Sequence, residues 1–293
     1  MKIEEGVELS RFTTLGAGGP AQAFARPESV EELEEALAWA SAQDLPVATV
    51  GLGSNLLVAD EGFDGLVLKL GGELAEARVE GERLLAGGGA ANAVCLHRVR
   101  GAGLGGFEFA CAIPGTIGGG VWMNAGAYGS DWATILDRAL VVDEQGGRWL
   151  TPDELGLSYR HSELHHGQVV ARAEFTLEPL PQEQIKANVA RLQALRKAAQ
   201  PTNKRTFGSV FKNPELELSA GRMLEACGLK GHRIGGAQIS PRHANFIENA
   251  DGARAGDAVA LMAEARRRAL EQYGVELVHE VEFLGPLELP PLR

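Results

Sequence analysis

Residues 112–129 read A-I-P-G-T-I-G-G-G-V-W-M-N-A-G-A-Y-G. Glycine fills six of these eighteen positions, in apolar surroundings rather than linker composition. Each glycine held in a regular element costs roughly 0.5–1 kcal/mol relative to alanine. Such a stretch needs either close backbone packing or a ligand lying against the main chain. A shorter glycine turn, G-L-G-S-N at 51–55, directly follows the apolar run P-V-A-T-V (46–50). A turn in that place can gather backbone N–H groups into an anion-binding nest, with Ser54 and Asn55 adding side-chain donors. It can equally be an ordinary strand-to-loop turn.

The sequence around these turns alternates helical and strand patterns. V-E-E-L-E-E-A-L-A-W-A (30–40) has helical spacing, with Ser29 as N-cap and acids in its first turn. Further helices are expected over 91–100, 182–199, 219–227 and 256–273. Strands are expected over 46–50, 66–70, 83–87, 138–143, 169–177, 244–248 and 276–284. Gly101, Gly103 and Gly106 match G-x-G-x-x-G, but the dinucleotide fingerprint needs a strand before it and a helix after it. Here a helix precedes and the strand-like F-E-F-A (107–110) follows, so the match reads as a turn. P-L-P at 179–181 changes the character of the chain and places a domain boundary within 180–206.

At 293 residues and 45% hydrophobic content the chain can hold two packed domains. Cys95, Cys111 and Cys227 form no C-x-x-C pair, which suits a reducing compartment rather than a disulfide framework or a zinc site. The opening MKIEEGVELS has neither a basic nor an apolar leader region, and no run approaches the roughly 18 apolar residues of a membrane span. The expectation is a soluble cytoplasmic protein without membrane insertion. A net charge of −11 argues against nucleic acid as partner. Against that average, basic residues gather between Arg196 and Arg233, either for a small anionic ligand or as a solvated face. R-H-S-E-L-H-H (160–166) lacks the H-E-x-x-H spacing, so His161, His165 and His166 read as a polar loop and no metal is expected. Arg160, beside Tyr159, is suited to grip a carboxylate through two parallel hydrogen bonds. Ser209 in G-S-V-F-K-N-P lacks the G-x-S-x-G context and, on its own, reads as a turn serine. H-E-V-E-F (279–283) puts Glu280 and Glu282 on one strand face, solvated or facing a site.

Taken together and in order, these stretches resemble the UDP-N-acetylenolpyruvoylglucosamine reductase family. The resemblance runs from T-L-G-A-G-G (14–19) through G-L-G-S-N-L-L-V-A-D-x-G-F-x-G (51–65), the 113–129 block and Y-R-x-S (159–162). It continues through Q-P (200–201), G-S-V-F-K-N-P (208–214), G-L-K-G-x-x-I-G-G-A-Q-I-S (228–240), H-A-N-F-I-x-N (243–249) and E-V-x-F-L-G (280–285). The chain is similar to the shorter members that lack a lid insertion. It departs from the family pattern at Ala112 (usually glycine), Thr13 (commonly asparagine) and Glu282 (basic elsewhere).

The resemblance implies an α+β chain. A noncovalent FAD-binding domain of the vanillyl-alcohol-oxidase type would cover 1–180, in two α/β subdomains of about 1–70 and 71–180. A helix and linker would span 181–206, and an α/β substrate-binding domain 207–293. Gly51, Gly53, Ser54, Asn55 and Leu56 would serve the cofactor diphosphate. Ile113, Pro114, Gly115, Thr116, Gly118, Gly119, Asn124, Ala125 and Gly126 would let the backbone pass close to the flavin ring. The implied reaction uses NADPH to reduce FAD, after which the enolpyruvyl nucleotide sugar receives hydride at its vinyl carbon. Arg160 and Glu280 match the residues that stabilise the enolate-like species, and Ser209 matches the proton donor. Tyr128, Tyr159, Arg196, Lys212 and Asn213 match substrate- or phosphate-contacting positions. An oxidase of the same fold with tethered flavin would carry a histidine in an R-S-G-G-H-like turn, and G-L-G-S-N has none. A regulator that had lost chemistry would not be expected to keep Arg160, Ser209 and Glu280 together. The partner is a small nucleotide sugar, and the sequence is compatible with a monomer as well as with an oligomer.

Overall fold

The 30–40 pattern becomes α1, Val30–Ala42, in the computed structural model, which describes residues 1–292. Leu33, Ala36, Leu37 and Ala40 form its buried stripe, and the Ser29 hydroxyl accepts the Glu32 N–H at 3.2 Å. By its contacts the chain divides into two compact units. The first comprises Met1–Glu5, Ala23–Leu52 and Gly65–Arg196; the second comprises Gly6–Gln22, Gly53–Asp64 and Lys197–Arg293.

In the first unit, α1 covers a sheet in which Val47–Thr49 runs parallel to Phe63–Leu68, with Val47 opposite Leu66 and Thr49 opposite Leu68. A second, antiparallel sheet has the order Gly146–Leu150, Leu136–Asp143, Val169–Thr176, Arg83–Gly87, Ala77–Glu80. On it lie α2 (Asn92–Gly101), the short α3 (Ile117–Trp122) and the first part of α4 (Gln182–Ala199). Their core joins Ile117, Val121, Trp132, Val170, Phe175, Ile185 and Val189.

The second unit has a sheet ordered Thr206–Ser209, Phe246–Asn249, Ala237–Ile239, Arg233–Ile234. It is packed with α5 (Ala220–Ala226) and α6 (Ala255–Tyr273) around Phe207, Leu224, Ile239, Leu261 and Met262. Asp60 caps α6 from a distance in sequence, its two carboxylate oxygens accepting the Ala255 and Gly256 N–H groups at 3.0 and 3.2 Å.

The architecture is the expected mixture of helix and sheet. G-x-G-x-x-G is a turn as expected: α2 ends at Gly101 and only the two-residue strand Leu104–Gly105 follows. Two expectations fail. F-E-F-A is no strand; Glu108–Ala112 is a 3-10 helix. A strand would turn alternate side chains outward, but Phe107, Glu108, Phe109 and Ala110 are all buried. The Phe107 and Phe109 rings pack on Trp132 at 5.7 and 5.0 Å, and Glu108 accepts the Gly106 N–H at 2.6 Å and the Asn188 amide at 3.1 Å. The strand expected over 276–284 shrinks to Glu282–Leu284, parallel to Leu56–Val58. The preceding residues bond instead to the loop after Ser209: Lys212 donates to Val278 and Glu280 donates to Val210.

Asp60→Ala removes both acceptors at the start of α6. It should destabilise the protein by about 1–2 kcal/mol, read as a lower denaturant midpoint at unchanged slope. An unchanged midpoint would show that the cap contributes nothing.

Candidate active site

The first unit answers the question raised by the glycine-rich block in two ways. A Cβ at Gly120 would lie 2.6 Å from the Trp132 indole, and one at Gly126 would lie 2.6 Å from the Ser130 carbonyl oxygen. These two glycines are required by the protein's own packing. At Gly119, by contrast, a Cβ would meet only the Thr116 hydroxyl, at 3.7 Å. Here the backbone is open for something else to approach. Thr116 itself N-caps α3 through the Gly119 N–H at 3.5 Å, while Gly118 donates to Gly88 at 2.7 Å.

The ends of the block are tied down by α2 and by the Y-R-x-S loop. Asn92, at the start of α2, donates from its amide to Ile113 and from its backbone to Gly115, at 2.9 and 3.0 Å, across Pro114. Asn124 donates to the Ser158 carbonyl at 2.9 Å and accepts the Ala133 N–H at 2.9 Å. Ser162 donates to Trp122 at 2.6 Å. Arg160 reaches the block itself, donating to the Gly126 carbonyl at 2.6 Å with its guanidinium 5.1 Å from the Tyr159 ring centre. Ala125 is held between Gly120 and Trp132 by backbone hydrogen bonds of 2.8 and 3.1 Å.

Backbone strain marks the same place. Only four non-glycine residues among those described have positive φ: Asp44, Asn124 at 39°, Tyr128 at 55° and Arg160 at 53°. Each such residue costs on the order of 1–3 kcal/mol and collects where function over-determines the chain. Three of the four are site residues singled out from sequence. Beside Tyr128 lie Arg196 and Cys111. Burial first, and then a charge on Cys111, raises the Tyr128 hydroxyl above the ordinary tyrosine value. Burial likewise lowers Arg196 and raises Cys111. Cys111 was not singled out from sequence, where nothing distinguished it from an ordinary core thiol.

The second unit assembles the remaining candidates. Ser209 ends the strand Thr206–Ser209 and stands opposite Phe246, after a bulge at which Gly208 has φ 85°. A Cβ on Gly208 would sit 3.1 Å from the Ser54 carbonyl oxygen. Asn55 donates to the Glu280 carbonyl at 3.1 Å and accepts from Glu282 at 3.0 Å, while the Glu280 N–H reaches Val210 at 2.8 Å. Ser54, Asn55, Ser209 and Glu280 are thus brought together, with Leu56 opening the strand beneath them. Gly53 lies against Phe12, its carbonyl accepting from Thr14. Lys212 and Asn213 continue from Ser209. Asn213 does not offer its carbonyl oxygen outward, because that atom accepts the Ala220 N–H at 3.2 Å. Glu282 remains half-buried, and no substrate contact was assigned to it.

An anionic ligand fits the G-L-G-S-N turn. The N–H groups of Gly51, Leu52 and Gly53 donate no hydrogen bond among the described residues, as an anion-binding turn requires. Gly119 presents open backbone.

The comparisons agree. An FAD binding domain matches residues 21–151, and the UDP-N-acetylenolpyruvoylglucosamine reductase C-terminal domain matches 200–284. The reductase of Bacillus licheniformis is 40% identical, with 97% of this chain and 94% of that one covered. That of Rubrobacter xylanophilus is 42% identical over 94% and 93%. The crystal structure of the Thermus caldophilus reductase superposes with a TM-score of 0.86 at 37% identity, covering 97% of this chain and all of that one. The protein is therefore an FAD-dependent oxidoreductase. Within that class, the chain belongs to the UDP-N-acetylenolpyruvoylglucosamine reductase family.

Gly119→Ala separates packing from cofactor binding. Its added methyl group meets no protein atom closely and should leave apoprotein stability unchanged or raised by about 0.4–1 kcal/mol. The FAD dissociation constant, measured by flavin fluorescence, should rise at least about tenfold. Unchanged FAD affinity would mean that the open face at Gly119 is not turned to the flavin.

Proposed function

We propose that Arg160, Ser209 and Glu280 carry the NADPH-dependent, FAD-mediated reduction of UDP-N-acetylenolpyruvoylglucosamine to UDP-N-acetylmuramate, a step of peptidoglycan precursor synthesis. The strongest support is the Arg160 loop: a strained arginine, held by its own guanidinium on the glycine-rich block, is positioned at a cost that packing alone does not require.

Bound FAD would supply the hydride transfer, from NADPH to the substrate's vinyl carbon. Negative charge then develops on the neighbouring carbon and its carboxylate. Arg160 meets that carboxylate with its planar donor set, and stabilisation of charge where it develops lowers the barrier most. Ser209 gives its Oγ proton to the carbon. An alcohol is a weak acid in water, but it can donate to a strongly basic enolate at hydrogen-bond distance. Glu280, held through its backbone by Asn55 and Val210, supports the same charge as an acid or through a relay. Tyr128, Tyr159, Arg196, Lys212 and Asn213 hold the nucleotide sugar, with the basic side chains suited to its diphosphate.

The division of labour along the chain is cofactor binding in 1–180, connection in 181–206 and substrate binding in 207–293. The FAD-binding match over 21–151 lies within the first part, and the C-terminal match over 200–284 begins near the end of the connection; both support it. The reaction takes place in the cytoplasm, without nucleic acid or membrane insertion. Three free thiols and an acidic surface charge favour this setting. Among the described residues no helix is long and apolar enough to cross a membrane.

Anaerobic stopped-flow absorbance tests the assignment. In Ser209→Ala, bleaching of the flavin band by NADPH should keep its wild-type rate. Recovery of colour on adding UDP-N-acetylenolpyruvoylglucosamine should slow by about 10²–10⁴-fold. Recovery at the wild-type rate would remove Ser209 from the reaction.

A further inference from the structure

Lys69 stands at the end of a strand the sequence reads as apolar, L-V-L-K-L, where a lysine has no packing reason to be. The strands Val47–Thr49 and Phe63–Leu68 are parallel, so their carboxyl ends lie side by side. In open α/β sheets that edge is where ligands bind. Gly51 leaves one strand there and Lys69 leaves the other. The Lys69 ammonium donates to the Gly51 carbonyl at 2.6 Å. Gly51 is pressed onto the glycine-rich block, since a Cβ on it would lie 2.6 Å from the Thr116 hydroxyl. Lys69 therefore holds the peptide at which two glycine-rich stretches of the first unit touch.

The geometry of a trans peptide turns this into a role. The Gly51 carbonyl and the Leu52 N–H belong to one planar unit and point in opposite directions. A cation on the oxygen fixes the direction of the N–H and polarises it into a stronger donor. That N–H donates no hydrogen bond among the described residues, and Leu52 is exposed. Burial first, and then the nearby Arg26 charge, lowers the Lys69 pKa.

We propose that Lys69 is a positioning residue for the cofactor's diphosphate, gripping the Gly51 carbonyl so that the Leu52 N–H is aimed and polarised toward a phosphate oxygen. The proposal rests on the assignment of the G-L-G-S-N turn to the diphosphate. It explains why a lysine directly follows a strand whose last residues, Leu66, Val67 and Leu68, are fully buried.

The test compares two ligands on apoprotein: FAD, and riboflavin, which keeps the flavin ring but has no phosphate. Lys69→Met keeps most of the side chain and removes the charge. It should weaken FAD by about 10–100-fold, the size of a charge-assisted hydrogen bond, and change riboflavin affinity by less than about twofold. Lys69→Arg, which keeps the charge, should stay within about threefold of wild type for FAD. In 0.5 M KCl the gap between wild type and Lys69→Met should narrow, because the lost contribution is screened. Unchanged FAD affinity in Lys69→Met overturns the proposal. So does an equal loss for FAD and riboflavin, with or without a lower melting temperature, because that is what a purely structural lysine would give. If the Gly119→Ala variant loses FAD while Lys69→Met does not, the cofactor assignment stands and the role of Lys69 falls. If neither loses FAD, both fall.

Discussion

The backbone of α3 lies against the indole of Trp132 with no room for a side chain at Gly120, and much of the first unit is arranged around that approach. Trp132 is fully buried and faces Phe107 and Phe109, and Phe107 in turn packs edge-on against Phe175 of the antiparallel sheet. Gly118 binds the sheet side through Gly88. With one face of the α3 backbone sealed in this way, the opposite face at Gly119 is left bare. Close packing thus creates an opening as well as filling a core, because a helix that fits without side chains on one side exposes its main chain on the other. The glycines in this block serve two masters, and the distances at each position tell them apart.

Strain in the neighbouring loops is held by hydrogen bonds rather than by flexibility. Arg160 and Tyr128 adopt a left-handed backbone that bulky side chains rarely take. What over-determines them is a set of contacts with the block: Asn124 to Ser158, Ser162 to Trp122, and Arg160 to Gly126. An arginine fixed before substrate arrives loses less entropy on binding a carboxylate than one free in solvent. The second unit uses the same economy without strain. Asn55 ties the turn at 53–55 to the main chain of Glu280 and Glu282, so a residue proposed for the cofactor and one proposed for catalysis share one hydrogen-bonded frame.

Much of this was legible in the amino-acid order. Helical spacing located α1 and α4 to within two residues, and the G-L-G-S-N turn could be read as an amide nest because a buried strand runs into it. The ordered motifs brought Arg160, Ser209 and Glu280 forward when, singly, each looked ordinary. Other features were not legible. F-E-F-A has the alternation of a strand, yet its phenylalanines are recruited to one aromatic cluster by Trp132, more than twenty positions away. Asp60 sits within a motif dominated by glycine and apolar residues, and its duty as the cap of α6 requires knowing that residues 255–256 come to it. Which side-chain atom of Asn213 is already spent was hidden as well: its carbonyl oxygen accepts the Ala220 N–H.

The sequence by itself determined most of the element types, the presence of two glycine-rich stretches, and the family to which those motifs belong. These depend on local backbone freedom and side-chain periodicity, which are properties of neighbouring residues. Only the tertiary structure decided which glycines answer to packing and which are bare, which polar side chains are spent on caps, and that a lysine at the end of an apolar strand grips Gly51. Those outcomes depend on contacts between residues outside one another's helical turn or strand, as far apart as Asp60 and Ala255, whose energies exceed the local preferences that a sequence pattern reports.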